Sequence, residues 1–168
     1  MIRLFGIKTE RNESKETARR LLAFAALKVW GWTELPATQR GEKGKPFFPT
    51  HPDRHFNLSH TDGFALCALS DEGPVGADIE TVRPRKESLP AYVMSGEELA
   101  AFDGSWEDFF RIWTLKEAYV KYRGGSIVNP RTGPAPPPVP HRCYAGDGWR
   151  AALCADGELP EEIEWIVL

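Results

Sequence analysis

The alternation of apolar and polar positions divides the chain into short strands and two longer helical stretches. The segment Ile2–Lys8 alternates weakly and precedes a polar turn, which is typical of a strand. Apolar side chains then recur at helical spacing as far as Val29, and Gly31 stands where a helix would end. Short apolar runs predict further strands at residues 55–59, 64–70, 74–80, 149–154 and 163–167.

Two capping-box patterns predict where the second helical stretch begins. Ser95 is followed three residues later by Glu98, and Ser105 is followed by Asp108. The stretch carries large apolar side chains along one side and ends near Gly124. Residues 130–140 hold six of the 14 prolines, so we expect an extended connector there.

A weak internal repeat in the order of the predicted elements suggests a duplicated architecture. Strand, helix and hairpin follow one another in residues 1–72, and the same order returns in residues 73–168. A duplicated α+β lobe with a site in the groove between the copies explains this internal repeat. Chance similarity of the apolar segments 64–70 and 149–156 explains it nearly as well.

Size, charge and cysteine content restrict the class of protein. The chain of 168 residues and 18.9 kDa is long enough for one domain or two small lobes. Its net charge of −3 argues against a nucleic-acid partner. Three cysteines without CxxC spacing fit a reducing compartment, and neither a signal peptide nor a membrane-spanning run is apparent. We therefore expect a cytoplasmic protein.

The strongest local feature is the pair Asp78 and Glu80. Residues two apart on a strand point to the same face, so both carboxylates can share one hard cation. Two ordinary acids on a solvated strand end are the better explanation of this pair taken alone. The pair Glu117 and Lys121 lies on one face of the predicted helix, where it is either an ordinary ion pair or part of a site.

Two further features suit phosphate oxygens. Ser59 and His60 end a short strand at a turn, although hydrogen bonding at the strand end explains them as well. Gly44, Lys45 and Pro46 form a loop that brings one positive charge, but it lacks the pattern of a P-loop. Together with the carboxylates, these residues suit Mg²⁺-assisted transfer on a diphosphate.

The order of four motifs resembles one family over nearly the whole chain. GKP (44–46), FNLSH (56–60), VGADIE (75–80) and WTLKEAYVK (113–121) are similar to the 4′-phosphopantetheinyl transferase superfamily, in its two-lobed surfactin-synthetase-activating type. The resemblance implies an α+β fold of two pseudo-symmetric lobes, each with a helix on a small, mainly antiparallel sheet. It places the nucleotide side in lobe 1–72 and the metal site in lobe 73–168.

The resemblance also implies an activity and its residues. The family transfers 4′-phosphopantetheine from coenzyme A to a serine of an apo acyl or peptidyl carrier protein and releases adenosine 3′,5′-bisphosphate. Asp78, Glu80 and Glu117 correspond to the Mg²⁺ ligands, and Asp78, Glu117 and Lys121 to the catalytic residues. The positions implied for coenzyme A are Gly44, Lys45, Pro46, Ser59, His60, Lys116 and Lys121, with a looser match at Lys15 and Arg20.

Some expectations stay open at this stage. The chain is shorter after Lys121 than is typical of two-lobed members, because the proline-rich tract stands there. A metal-dependent nuclease or diphosphohydrolase and an inactive coenzyme A or carrier-binding module are the alternatives. Two lobes in one chain need no second copy to form a groove, so we expect a monomer. The net charge and the short apolar runs lead us to expect no nucleic-acid or membrane partner. The residues do not indicate which fatty-acid, polyketide or nonribosomal-peptide carrier is served.

Overall fold

The structure, a computed structural model, describes residues 1–10, 12–125 and 130–167. The strands are β1 (Ile2–Lys8), β2 (Gln39–Arg40), β3 (Pro46–Phe47), β4 (His55–Thr61), β5 (Phe64–Ser70), β6 (Val75–Thr81), β7 (His141–Gly146), β8 (Trp149–Ala155) and β9 (Glu164–Ile166). The helices are α1 (Ser14–Trp30), α2 (Leu89–Val93), α3 (Gly96–Ala101) and α4 (Trp106–Tyr122), and one 3-10 turn covers Pro130–Thr132. The expected α+β class is confirmed.

Two units of the chain repeat one topology. Strands β4, β5 and β1 form an antiparallel sheet in that order, and β7, β8 and β6 form the other sheet in the equivalent order. Helix α1 packs on the first sheet and α4 packs on the second. The expected pair of related lobes, each with a helix on a small antiparallel sheet, is confirmed.

The last strand does not join the second sheet. β9 pairs in parallel with β1, from Phe5 opposite Glu164 to Ile7 opposite Ile166, so it becomes the outer strand of the first sheet. The Glu164 carboxylate also forms ion pairs with Arg3 and Lys28. The C-terminal segment therefore returns to the N-terminal unit and ties the two units together.

The elements that the sequence pattern missed are short or mostly exposed. β7 was not predicted because Tyr144 is its only buried residue, so the strand lacks an apolar run. Helix α2 lies within residues 81–94, where the apolar pattern predicts no helix or strand, and β2 and β3 are only two residues each. Residues 130–140, for which the proline content predicts an extended connector, begin with one 3-10 turn.

A glycine lets α4 lie directly on the backbone of β6. A Cβ built on Gly76 would lie 2.7 Å from the Cα of Tyr122 and would also collide with the carbonyl oxygen of Ala118. Gly76 is therefore required for this close approach, which places the side chains of α4 beside those of β6. Within the described ranges, no helix combines the length and apolar character needed to cross a bilayer.

Candidate functional site

The seam between the two units is closed by side chains. β6 is the outer strand of its sheet, and three of its backbone N–H groups point toward β4. Alternate polar side chains of β4 accept these bonds, and we call this arrangement the side-chain ladder. Its bonds run from Ala77 N–H to Asn57 Oδ1 (2.8 Å), from Ile79 N–H to Ser59 Oγ (3.2 Å) and from Thr81 N–H to Thr61 Oγ1 (3.5 Å).

Asp78 is buried in the middle of this seam, with a relative exposure of 4%. Its Oδ1 accepts hydrogen bonds from Ser59 Oγ at 2.8 Å and from Lys121 Nζ at 2.6 Å. The same ammonium group lies 3.2 Å from Ser59 Oγ. The carboxylate is thus held by one residue from each neighbouring element, and a positive charge offsets its negative charge.

The second oxygen of this carboxylate is differently placed. Asp78 Oδ2 is buried and has no hydrogen-bond partner among the described residues. A buried carboxylate oxygen without a donor is costly, so a position like this one favours a ligand that supplies positive charge or a proton donor.

Two other carboxylates face the same region. Burial and the nearby charge of Asp78 together raise the pKa of Glu80 to about 7, although a hydrogen bond from Thr61 Oγ1 (3.2 Å) opposes the shift. Burial and the charge of Asp78 also raise the pKa of Glu117, against the lowering effect of Lys121. The acids therefore repel one another, as carboxylates do when they share one site.

Helical spacing brings three residues of α4 to the site. Trp113, Glu117 and Lys121 are four residues apart and form one stripe along the helix. They line a cleft of about 310 Å³, which we call the seam cleft. Its lining is Leu58, Ser59, His60, Asp78, Glu80, Trp113, Glu117 and Lys121.

Six of the residues expected at the site thus meet in the seam cleft, namely Ser59, His60, Asp78, Glu80, Glu117 and Lys121. In the part of the chain that the structure describes, no three His, Cys, Asp or Glu side chains form a ready-made metal-binding group. Lys121 occupies the space beside Asp78 instead.

The GKP loop lies beside a different pocket. Lys45 donates a hydrogen bond to the carbonyl oxygen of Val75 at 2.6 Å, at the start of β6 and just before Asp78 and Glu80. Burial lowers the pKa of Lys45 to about 8. Lys45 and Pro46 line a pocket of about 340 Å³ together with Arg54 and Arg123.

The N-terminal helix contributes at its first turn. Ser14 Oγ lies 3.2 Å from His60 Nδ1. Burial lowers the pKa of His60, and the positive charges of Lys121 and Lys15 lower it further. Lys15 is therefore near the seam cleft, whereas Arg20 is exposed on α1, about 140° further around the helix from Lys15.

Lys116 points away from the seam cleft. Its side chain is 6% exposed and pairs with Glu98 at 2.8 Å, on a different face of α4 from Glu117. Its ammonium group also donates to the carbonyl oxygen of Pro130 at 2.8 Å. The structure does not bring Lys116 together with the residues of the seam cleft.

Sequence reasoning missed the roles of Asn57 and Thr61 in the ladder and of Leu58 and Trp113 as walls of the cleft. The alternation of polar residues in β4 was visible, but its partner strand was not. A repeat of uncharged polar side chains beside an outer strand is the signal that could have indicated the ladder.

Comparison with known proteins agrees with the motifs. Residues 74–134 match the model of the 4′-phosphopantetheinyl transferase superfamily. The chain is 46% identical over 114 residues to 4′-phosphopantetheinyl transferase AcpT of Escherichia coli K12, a match that covers 64% of this chain and 58% of that protein. It is 28% identical over 148 residues to 4′-phosphopantetheinyl transferase Sfp of Bacillus subtilis, covering 74% of this chain and 66% of that protein.

The resemblance to this superfamily, including its surfactin-synthetase-activating type, is confirmed. The matched part of the chain contains Asp78, Glu80, Glu117 and Lys121. The chain spans somewhat over half the length of the AcpT relatives that it matches.

Proposed function

We propose that the chain transfers 4′-phosphopantetheine from coenzyme A to a serine of an apo acyl or peptidyl carrier protein. The observation that carries the proposal is the meeting of Asp78, Glu80, Glu117 and Lys121 in one cleft on the seam. Relatives named as 4′-phosphopantetheinyl transferases support it. The alternatives of a hydrolase or an inactive binding module gain no support from the names of the relatives described above.

The reaction forms one bond and breaks one bond. The carrier serine oxygen attacks the phosphorus that bears the pantetheine arm, and the bond from this phosphorus to the bridging oxygen of the diphosphate breaks. Adenosine 3′,5′-bisphosphate leaves with that oxygen, and the serine proton passes to Glu117 or to water. Little covalent work falls to the protein, so positioning and charge account for most of the acceleration.

Lys121 and Glu117 have separate duties in this proposal. Lys121 already lies at the centre of the seam cleft, where its ammonium group can neutralise charge on the diphosphate and the leaving group. Glu117 orients the attack. Its raised pKa makes it a better proton acceptor than an exposed carboxylate, and we rank this role below the holding of charge.

The oxygen donors of the seam cleft support Mg²⁺ as its ion. Three carboxylates line it, and Asp78 Oδ2 lacks a hydrogen-bond partner among the described residues. We propose that Asp78, Glu80 and Glu117 hold the ion, which prefers oxygen ligands. When bound, it would neutralise charge on the diphosphate.

The nucleotide end of coenzyme A would lie toward the first lobe, residues 1–72. His60 and Lys15 sit at the edge of the seam cleft on that side, and Lys45 lies beside the start of β6. We propose that these groups, with Ser59, Gly44 and Pro46, contact the nucleotide phosphates. Arg20 lies on the same helix and would act only at longer range.

The carrier would bind beside the second lobe, residues 73–168. The loop after β6 carries Arg83 and Arg85, and Tyr92 of α2 is 69% exposed. Positive charge around a small apolar patch suits an acidic partner. We further propose that the protein acts as a monomer, since both lobes of the cleft come from one chain. We also propose that it acts in the cytoplasm, since Cys67, Cys143 and Cys154 are free.

One incubation tests the activity. The chain is mixed with coenzyme A, Mg²⁺ and an apo carrier protein, and the carrier is weighed by mass spectrometry. We expect a mass gain of one phosphopantetheine group on the carrier and an equal amount of adenosine 3′,5′-bisphosphate. Cleavage of coenzyme A without a carrier would indicate a hydrolase, and binding without any product would indicate an inactive module.

A further inference from the structure

A buried ion pair holds a second face of α4, about 100° around the helix from Glu117. Lys116 and Glu98 are 6% and 13% exposed, and their charged atoms are 2.8 Å apart. We call these two residues, together with the carbonyl oxygen of Pro130 that Lys116 also binds, the Lys116 clamp. The clamp joins α4, α3 and the turn at residues 130–132.

The clamp is tied into the backbone at its acidic end as well. Glu98 Oε2 accepts a second hydrogen bond, from the N–H of Ser95 at 2.8 Å, while Ser95 Oγ caps the N–H of Glu98. The carboxylate therefore cannot follow Lys116 if α4 rotates. Directional bonds at both ends give the clamp one permitted geometry.

Stability alone gives little reason for such a pair. Removing two charges from water is expensive, and apolar replacements of a buried ion pair are often as stable or more so. A helix that lies on small residues of a sheet can roll about its axis, because apolar packing has little directional preference. α4 lies on β6 in this manner at Gly76 and Ala118.

We propose that Lys116 is a positioning residue that sets the rotation of α4 and thereby holds Glu117 against Asp78. Lys116 and Glu117 are consecutive, so any roll that moves one ammonium group moves the neighbouring carboxylate by a similar arc. The inference rests on the proposed transfer reaction. It differs from the contact with coenzyme A that the motif resemblance implies for Lys116.

The decisive variant removes both charges. Lys116→Met with Glu98→Gln leaves no unpaired buried charge, and glutamine keeps the capping oxygen for Ser95. We expect an unfolding midpoint close to that of the wild type and a kcat lower by up to about 100-fold, because small misplacements of reacting groups cost that much. The KM for coenzyme A should stay within about twofold of the wild-type value.

Two further variants complete the test. Arg111→Met removes an exposed ion pair with Asp108 on the same helix, and we expect it to leave kcat unchanged. Lys116→Arg keeps the charge and both acceptors within reach, so it should recover most of the rate. A double variant with wild-type kcat would reduce the clamp to a structural role. A raised KM for coenzyme A at unchanged kcat would contradict the positioning role and favour a direct contact between Lys116 and coenzyme A.

A structural readout separates this inference from the proposed function. If the wild-type chain transfers nothing, the proposed function fails, whatever the clamp does. Crystal structures of the double variant and of Arg111→Met then decide the positioning. We expect the Glu117 carboxylate to move relative to Asp78 only in the double variant, and an unmoved carboxylate would overturn the inference.

Discussion

Strands β1 and β6 hold equivalent places in the two units, each beside the hairpin of its own unit, yet the other edge of each strand is closed in a different way. β1 pairs with the backbone of β9, so its edge continues as an ordinary sheet. The edge of β6 is closed by side chains of β4. The two related sheets therefore have different edges: backbone groups pair at the edge of β1, and side chains of β4 bind at the edge of β6.

The difference places polar side chains of the candidate site at the edge of β6. Backbone pairing needs no polar side chains, and β1 is almost entirely buried and apolar. Closure by side chains brings an amide and two hydroxyl groups to the seam, and Ser59 reaches both the backbone of β6 and the carboxylate of Asp78. The ladder thus serves as the frame of the seam cleft.

The largest effect should come from breaking the approach of α4 to β6. Gly76→Ala places a methyl group into the backbone of α4 at Tyr122. We expect a loss of about 3 kcal/mol in the free energy of unfolding and a fall of about 100-fold or more in transfer rate. Urea unfolding and initial rates measure both. Gly96→Ala is the matched control, since a Cβ at that position meets no other atom within 4 Å. A wild-type transfer rate in Gly76→Ala would contradict the proposed geometry.

The next largest effect should come from the charge at the centre of the seam. Asp78→Asn keeps the size of the side chain and an acceptor for Ser59 but removes the partner of Lys121. We expect transfer to fall by at least about 100-fold, because electrostatic groups of this kind carry effects of that size. Mg²⁺ binding, followed by calorimetry, should weaken in parallel. Full activity in this variant, or of the wild type in excess chelator, would remove the metal from the proposal.

A comparison of the two edges themselves should give an intermediate effect. Ser59→Ala leaves the N–H of Ile79 without its acceptor, so we expect a loss of about 1–3 kcal/mol together with slower transfer. Glu164→Gln weakens the ion pairs at the edge of β1 and should cost less than about 1 kcal/mol without changing the rate. Equal effects of both variants on the transfer rate would contradict the claim that the edge of β6, and not that of β1, supports the site.

The loop that follows β6 should show a smaller and more selective effect. Arg83 forms an ion pair with Asp62 at 3.5 Å, and both side chains are about half exposed. Reversal of Arg83 and Arg85 to Glu should raise the KM for the carrier about tenfold with little change for coenzyme A, since exposed charges mainly steer encounter. Steady-state kinetics at low and high salt measure this. Weaker binding of coenzyme A instead would assign the loop to the nucleotide.

The smallest effect distinguishes the edges by their response to pH. The pKa of Glu80 is raised to about 7, so the folded chain binds more protons than the unfolded chain between about pH 4.3 and 7. Its contribution to stability in chelator should fall as the pH rises through that range. The pKa of Glu164 is lowered by its hydrogen bonds with Lys28 and Arg3, so its contribution is present at neutral pH and is lost in acid.

Urea midpoints between pH 3 and 8 test these opposite slopes. Glu80→Gln should flatten the profile between about pH 4.3 and 7, and Glu164→Gln should flatten it only below about pH 4.3. An unchanged slope in Glu80→Gln would mean that this carboxylate is not the group that titrates.

The sequence by itself determined the elements with strong periodicity and the family resemblance from which the candidate site follows. Strand β1 and strand β5 were predicted with their observed bounds, and Ser95 and Ser105 cap helices as their patterns indicated. Local rules suffice here, because period and capping depend on residues that are close in the chain. The spacing of Trp113, Glu117 and Lys121 likewise placed them on one face of a helix.

Only the tertiary structure decided which side chains meet. The exposed strand β7 and the return of β9 to the first sheet depend on partners distant in sequence. Lys116 and Glu117 are neighbours in the chain, yet one is buried against Glu98 and the other faces the seam cleft. Their separation follows from the 100° turn per residue of a helix together with what packs on each side, and the second factor is absent from any local pattern.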